Sequence, residues 1–222
     1  MSCSLQWLRS AIFDCWRSFA NATTLPPAVF RAALENVAAK VDFSRVKSCL
    51  AFGTNSGERE MEFARRLLAN LRSFTGVEPD PESASALRAS FQKGLLPGVE
   101  TLVVETSIQS WNGVGDHADA VLLFNVLGHV DAKDREDLFQ QLMRRYLSCG
   151  GLVVVCTDVC SVPSADVLLM ERLGVQHVDY DELEEEILDA GFRVVFKQDF
   201  EVRRDLSDPS DGVVKFVKMC AD

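Results

Sequence analysis

The chain has 222 residues and 47% apolar side chains, enough to bury one large core, so it suits one α/β domain with extensions or at most two small domains. A net charge of −10 argues against a nucleic-acid partner, which needs clustered Lys and Arg, and no apolar run is long enough to span a membrane. Seven cysteines without paired spacing, and a first twenty residues interrupted by Arg9, Asp14 and Arg17, predict reduced thiols in a cytoplasmic protein.

In chain order, residues 1–45 read as a helical extension. Trp7, Leu8, Ile12, Trp16 and Phe19 form a helical stripe, Leu25-Pro26-Pro27 breaks it, and Val29 to Val41 carries a second helix. A first strand is expected near 48–52, followed by a helix that buries Met61, Ala64, Leu67, Leu68 and Leu71. A second strand covers Phe74 to Val77, and Asp80-Pro81-Glu82 opens the next helix with an Asp cap, a Pro in the first turn and an acid at the positive end. Leu102 to Val104 is a third strand and Ala120 to Val126 a fourth, the latter followed by a helix carrying Leu138, Leu142 and Tyr146. Gly150-Gly151 introduces a fifth strand, Leu152 to Thr157. A helix from Asp181 to Ala190 stops at Gly191, and two closing strands, Phe192 to Phe200 and Val213 to Met219, flank a polar loop. Alternating strands and helices predict a parallel sheet, and the closing pair an antiparallel hairpin.

The chemistry concentrates where strands end. Gly53 and Gly57 bracket a tight loop between the first strand and its helix, and between them stands Asn55, the residue type most tolerant of left-handed backbone after glycine. Such a loop lets a ligand lie against bare backbone. Glu78 follows Gly57 by 21 residues at the tip of the second strand, where a carboxylate can accept hydrogen bonds from both hydroxyls of a ribose. After the third strand, Glu105-Thr106-Ser107-Ile108 can border an adenine or form a simple strand-end turn. After the fourth, Asn125 and His129 fall where a cofactor meets a substrate in parallel sheets. His129 can serve as a proton acceptor or as a loop residue with a structural hydrogen bond. Cys156 and Cys160 lack further ligands at zinc spacing, with His117 and His177 standing apart, so no metal site is expected. Neither a nucleophile elbow nor a phosphate-loop lysine is present, which disfavours hydrolases and NTPases.

The order of these motifs resembles class I S-adenosylmethionine-dependent methyltransferases, and within them the histamine N-methyltransferases. The matching pieces are Ser18-Phe19-Ala20-Asn21, Phe52 to Glu58, Val77-Glu78-Pro79, Glu105-Thr106-Ser107 and Phe124-Asn125-Val126-Leu127. The resemblance implies a Rossmann-like, doubly wound, mostly parallel seven-stranded sheet with a C-terminal antiparallel strand pair. Residues 1–45 then become a substrate-side cap and 46–222 the cofactor-binding domain. The implied cofactor, S-adenosyl-L-methionine, passes Gly53, Thr54, Asn55 and Gly57, is held at its ribose by Glu78 beside Pro79, and has its adenine bordered by Thr106, Ser107 and Ile108. Phe124 and Asn125 are implied to lie beside the sulfonium. A small-molecule methyl acceptor is expected against Asn125 and His129, walled by Trp16, Phe19, Tyr180 and the 158–178 segment, in a protein expected to be monomeric. Departures from the family fall at Asn55, where its central loop glycine stands, and on the acceptor side. There the family's acid is replaced by Thr24 or Leu25, and its aromatics are missing between Asp158 and Leu173. Two other readings share these motifs. One is a degenerate methyltransferase fold kept as a binding protein. The other is a nicotinamide-dependent oxidoreductase, although neither Tyr146 nor Tyr180 has the lysine nearby that such a site needs.

Overall fold

In the computed structural model the described residues are 27–94, 96–113, 117–159, 178, 180–202 and 212–221. Helix α1 spans Pro27–Ala38 and leads into β1, Ser48–Phe52. Then come α2 (Glu58–Leu67), β2 (Ser73–Val77), α3 (Pro81–Gln92), β3 (Glu100–Val104) and β4 (Ala118–Phe124). A short turn of helix, Leu127–His129, precedes α4 (Ala132–Gln141), which ends in a wide π-helical turn, Leu142–Tyr146. The chain closes with β5 (Leu147–Val159), α5 (Tyr180–Asp189), β6 (Phe192–Val202) and β7 (Gly212–Ala221).

Strands β1 to β5 pair in parallel, and the sheet order is β3-β2-β1-β4-β5-β7-β6. β7 runs antiparallel to both β5 and β6. The central strands are apolar throughout because both sheet faces are covered. Leu50, Phe52, Val121, Leu123, Val153 and Val155 point to one face, packed with Leu138 and Phe139 of α4 and Leu183 and Ile187 of α5. The alternate residues Cys49, Ala51, Ala120, Leu122 and Val154 point to the other, packed with α1 and α2. Phe30, Ala33, Leu34 and Val37 of α1 are buried there, so this helix is part of the sheet packing.

Several boundaries differ from the sequence expectation: α1 spans Pro27–Ala38 rather than 29–41, α2 ends at Leu67 so that Leu68 and Leu71 are buried beyond it, and two further differences have a backbone cause. β4 stops at Phe124, because Asn125 takes a left-handed conformation (φ 57°) that no strand continues. β5 starts five residues earlier than Leu152, at Leu147. Its pairing jumps from Ala118–Leu147 to Ala120–Leu152, so Gly150-Gly151 form a bulge within the strand rather than a turn before it. Trp16 and Phe19 lie outside the described residues, as does most of the 158–178 segment.

Candidate cofactor site

The sheet order sets the site, since β1 lies between β2 and β4. The loop leaving β1 therefore runs between the tip carrying Glu78 and the turn carrying Asn125. Gly53 (φ 59°), Asn55 (φ 49°) and Gly57 (φ 76°) are all left-handed, and these reversals fold the loop back on itself. Gly53 N–H donates to the Val77 carbonyl at 2.8 Å, and Gly57 N–H to the Thr54 carbonyl at 2.7 Å. Neither glycine can be replaced easily. A Cβ on Gly53 would lie 2.9 Å from a Val126 methyl, and one on Gly57 only 2.2 Å from Leu87 Cδ1. The loop is thus pressed against β4's end on one side and α3 on the other, and α2 begins at once with Met61 N–H bonded to the Gly57 carbonyl.

Glu78 continues the ladder past β2, its N–H donating to the Val104 carbonyl at 3.0 Å. Only 6% of it is exposed. Its Oε2 accepts the Asn55 N–H at 2.7 Å and its Oε1 the Asp80 N–H at 3.0 Å. Burial raises its pKa above the ordinary carboxylate range, while those two N–H groups pull it back and the nearby Asp80 charge adds to the rise. Each oxygen retains a second lone pair, so the carboxylate can still accept two hydroxyl donors. Pro79 beside it is exposed.

Beyond β3, Thr106, Ser107 and Ile108 are half-buried, and Ile108 packs on the core. Ser107 Oγ accepts the Ser110 N–H at 3.2 Å, which tightens this turn. Trp111 was not foreseen from the sequence. It is buried edge-on against Phe52, with ring centroids 6.4 Å apart, and its carbonyl accepts the Tyr146 hydroxyl at 2.7 Å. The only sequence signal was a large aromatic in the polar stretch Ser110-Trp111-Asn112-Gly113.

At the end of β4, the Phe124 ring packs between Phe30 and Phe63, at 6.0 and 5.7 Å. Asn125 N–H donates to the Cys156 carbonyl at 2.7 Å, while its side-chain Oδ1 is buried without a partner. His129 is exposed on the following turn, and its surroundings lower its pKa by desolvation, so the ring is neutral at pH 7. Tyr180 is the first residue of α5, and its side chain lies outside those described. Hydrogen bonds thus join Asn55 to Glu78, Gly57 to Thr54 and Gly53 to Val77 next to Glu78, and Gly53 packs on Val126 next to Asn125. Thr106 to Ile108 follow the end of β3, whose Val104 pairs with Val77 of β2.

These residues fit an adenosyl amino acid. Gly53 exposes backbone for a ligand to approach while Gly57 is buried under Leu87, Glu78 offers two acceptor lone pairs, and the orphaned Asn125 Oδ1 needs a donor. Residues 50–155 match a sequence family described as a methyltransferase domain. No curated protein sequence matches the chain. Among solved structures, magnesium protoporphyrin IX methyltransferase from Synechocystis, with bound SAH, is similar at 12% identity, covering 98% of this chain and 97% of its own, with a TM-score of 0.67. The N-methyltransferase NodS from Bradyrhizobium japonicum is similar at 15% identity, with 89% and 99% covered and a TM-score of 0.62. The [4+2]-cyclase SpnF is similar at 16% identity, with 86% and 80% covered and a TM-score of 0.63. At such identities the likeness shows the fold alone. Residues 50–155 thus resemble a methyltransferase domain on a fold that these structures share, and S-adenosylmethionine is the cofactor indicated.

Proposed function

We propose that this protein transfers a methyl group from S-adenosylmethionine to a small molecule, at an amine or imidazole-like nitrogen. The observation that carries the reading is the Glu78 carboxylate, oriented by two backbone N–H groups at the mouth of the glycine loop. In this reading Glu78 holds the ribose hydroxyls, and Gly53, Thr54, Asn55 and Gly57 pass the amino-acid part. Pro79, Thr106, Ser107 and Ile108 border the nucleoside. The likeness to histamine N-methyltransferases supports the nitrogen acceptor, and the acidic balance favours a cationic or neutral one. We further read the β6–β7 pair as completing a seven-stranded methyltransferase sheet. Of the 1–45 extension, α1 packs on the sheet of the 46–222 domain, and the residues before it are read as the substrate-side cap, in a cytoplasmic monomer.

The cofactor supplies an electrophilic methyl group on sulfur. The chain has to align the acceptor's lone pair with it and keep water away. Asn125 Oδ1, buried and in need of a donor, accepts an N–H from the acceptor and turns its lone pair inward. His129, neutral at pH 7, takes the proton that the acceptor nitrogen sheds. Trp16, Phe19 and Tyr180 are the proposed walls. Replacing Glu78 by Ala should weaken S-adenosylmethionine and S-adenosylhomocysteine binding about tenfold or more, as measured by calorimetry. Unchanged affinity would sink the assignment.

A second reading, a binding protein on the same fold without transferase activity, is favoured by one observation: Asn55, in a left-handed conformation, stands where a glycine is expected. A screen of amine and imidazole acceptors with S-adenosylmethionine separates the two, because only the first reading yields S-adenosylhomocysteine.

A further inference from the structure

The four residues Asn55, Glu78, Asp80 and Ser83 form a closed ring of hydrogen bonds. Asn55 N–H reaches Glu78 Oε2 at 2.7 Å, and Asp80 N–H reaches Glu78 Oε1 at 3.0 Å. Asp80 Oδ2 caps α3, accepting the Ser83 N–H at 2.9 Å and its hydroxyl at 2.6 Å. Ser83 Oγ also lies 3.2 Å from Asn55 Oδ1 as the amide is oriented.

A hydroxyl has one proton, and the Asp80 carboxylate can only accept. The Ser83 proton therefore goes to Asp80, the shorter contact. The amide of Asn55 then has to present its NH2 to Ser83 Oγ, an orientation reached by turning the amide about its last torsion. Donation runs one way, from Asn55 through Ser83 to Asp80. Ser83 is 9% exposed, which shields its end of the ring from water, while Asn55 stands at the surface. The left-handed φ of 49° at position 55 restricts the choice of residue. Glycine adopts it but has no side chain to fasten. Aspartate tolerates it but cannot donate, and would add a third carboxylate beside Glu78 and Asp80. Asparagine meets both demands.

We propose that Asn55 and Ser83 are positioning residues that fasten the glycine loop to the β2–α3 turn, so that Glu78 is oriented before the ligand arrives. The proposal rests on the reading of Glu78 as the ribose carboxylate. Fastening removes the loop's freedom in advance, and ligand binding then need not order it. Asn55 is on this view a gain over the glycine it replaces.

The test is S-adenosylhomocysteine binding by calorimetry to the wild-type chain, Asn55→Gly, Ser83→Ala, the double variant and Ser83→Thr, together with amide hydrogen exchange at Asn55. Each of Asn55→Gly and Ser83→Ala should weaken binding about three- to tenfold. The double variant should be no weaker than the weaker single one, because both break the same ring. Ser83→Thr keeps the hydroxyl and should retain wild-type affinity. In the ligand-free protein, Ser83→Ala should speed exchange of the Asn55 amide. The proposal is overturned if Asn55→Gly binds as tightly as the wild type, or if the two losses multiply. If the wild-type chain binds no S-adenosylhomocysteine, the reading of the site fails on its own. The fastening is then judged by exchange alone: faster Asn55 exchange in Ser83→Ala upholds it, and an equal rate overturns it.

Discussion

Glu60, the third residue of α2, is 4% exposed, and its carboxyl pKa is pushed up to about 8. Burial is the main cause. The charge of Glu78 adds to it, while its own backbone N–H and Arg59 oppose it. The folded chain therefore keeps a proton that the unfolded chain releases near the ordinary carboxylate value of 4.5. Stability from this group is full below that value and is lost as pH rises through about 8. Glu60→Gln, which cannot ionise, should melt about 3–8 °C higher than the wild type at pH 8.5 and within about 1 °C of it at pH 4.5. Thermal melts across pH check this, and parallel curves would show that Glu60 is not buried with its proton. Nothing in the sequence distinguished Glu60 from Glu58 or Glu62, since burial of one carboxylate on a charged helix depends on what packs against it.

Among the elements, α3 controls the loop through one side chain. Leu87 is fully buried, and its two methyls lie where Cβ atoms on Gly57 and Gly76 would stand, 2.2 and 2.6 Å away. Helix, strand and loop are thereby packed to contact. Gly57→Ala meets two costs, a left-handed φ of 76° and the clash with Leu87. Together these should destabilise the chain by about 2–4 kcal/mol in denaturant unfolding. A loss below about 1 kcal/mol would mean that the loop moves freely. The glycine spacing was legible in the sequence because a strand, a tight reversal and a helix start are all local. Leu87 looked like any apolar helix position, and its role came only from the fold bringing α3 over the loop.

For the whole molecule, a ligand that binds the folded chain alone raises its melting temperature by mass action. S-adenosylhomocysteine at about 100 times its dissociation constant should add about 2.7 kcal/mol, or about 5–10 °C for a chain of this size. NAD at the same concentration should add nothing. A shift with NAD alone would restore the oxidoreductase reading. Among the described residues no helix is long and apolar enough to cross a membrane.

The sequence by itself determined the five parallel strands and the residues at their ends. Strands covered on both faces read as unbroken apolar runs, and ligand loops follow them at short, local distances. Gly53, Gly57, Glu78 and Asn125 could be named for that reason. The tertiary structure decided which residues meet across the chain. Ser83 reaches Asn55 over 28 positions, and Tyr146 reaches Trp111 over 35. It also decided that Gly150-Gly151 bulge within β5 and that Phe124 faces α1 and α2. Periodicity records which side of an element is apolar, whereas partners and the direction of a hydrogen bond exist only once the elements are packed.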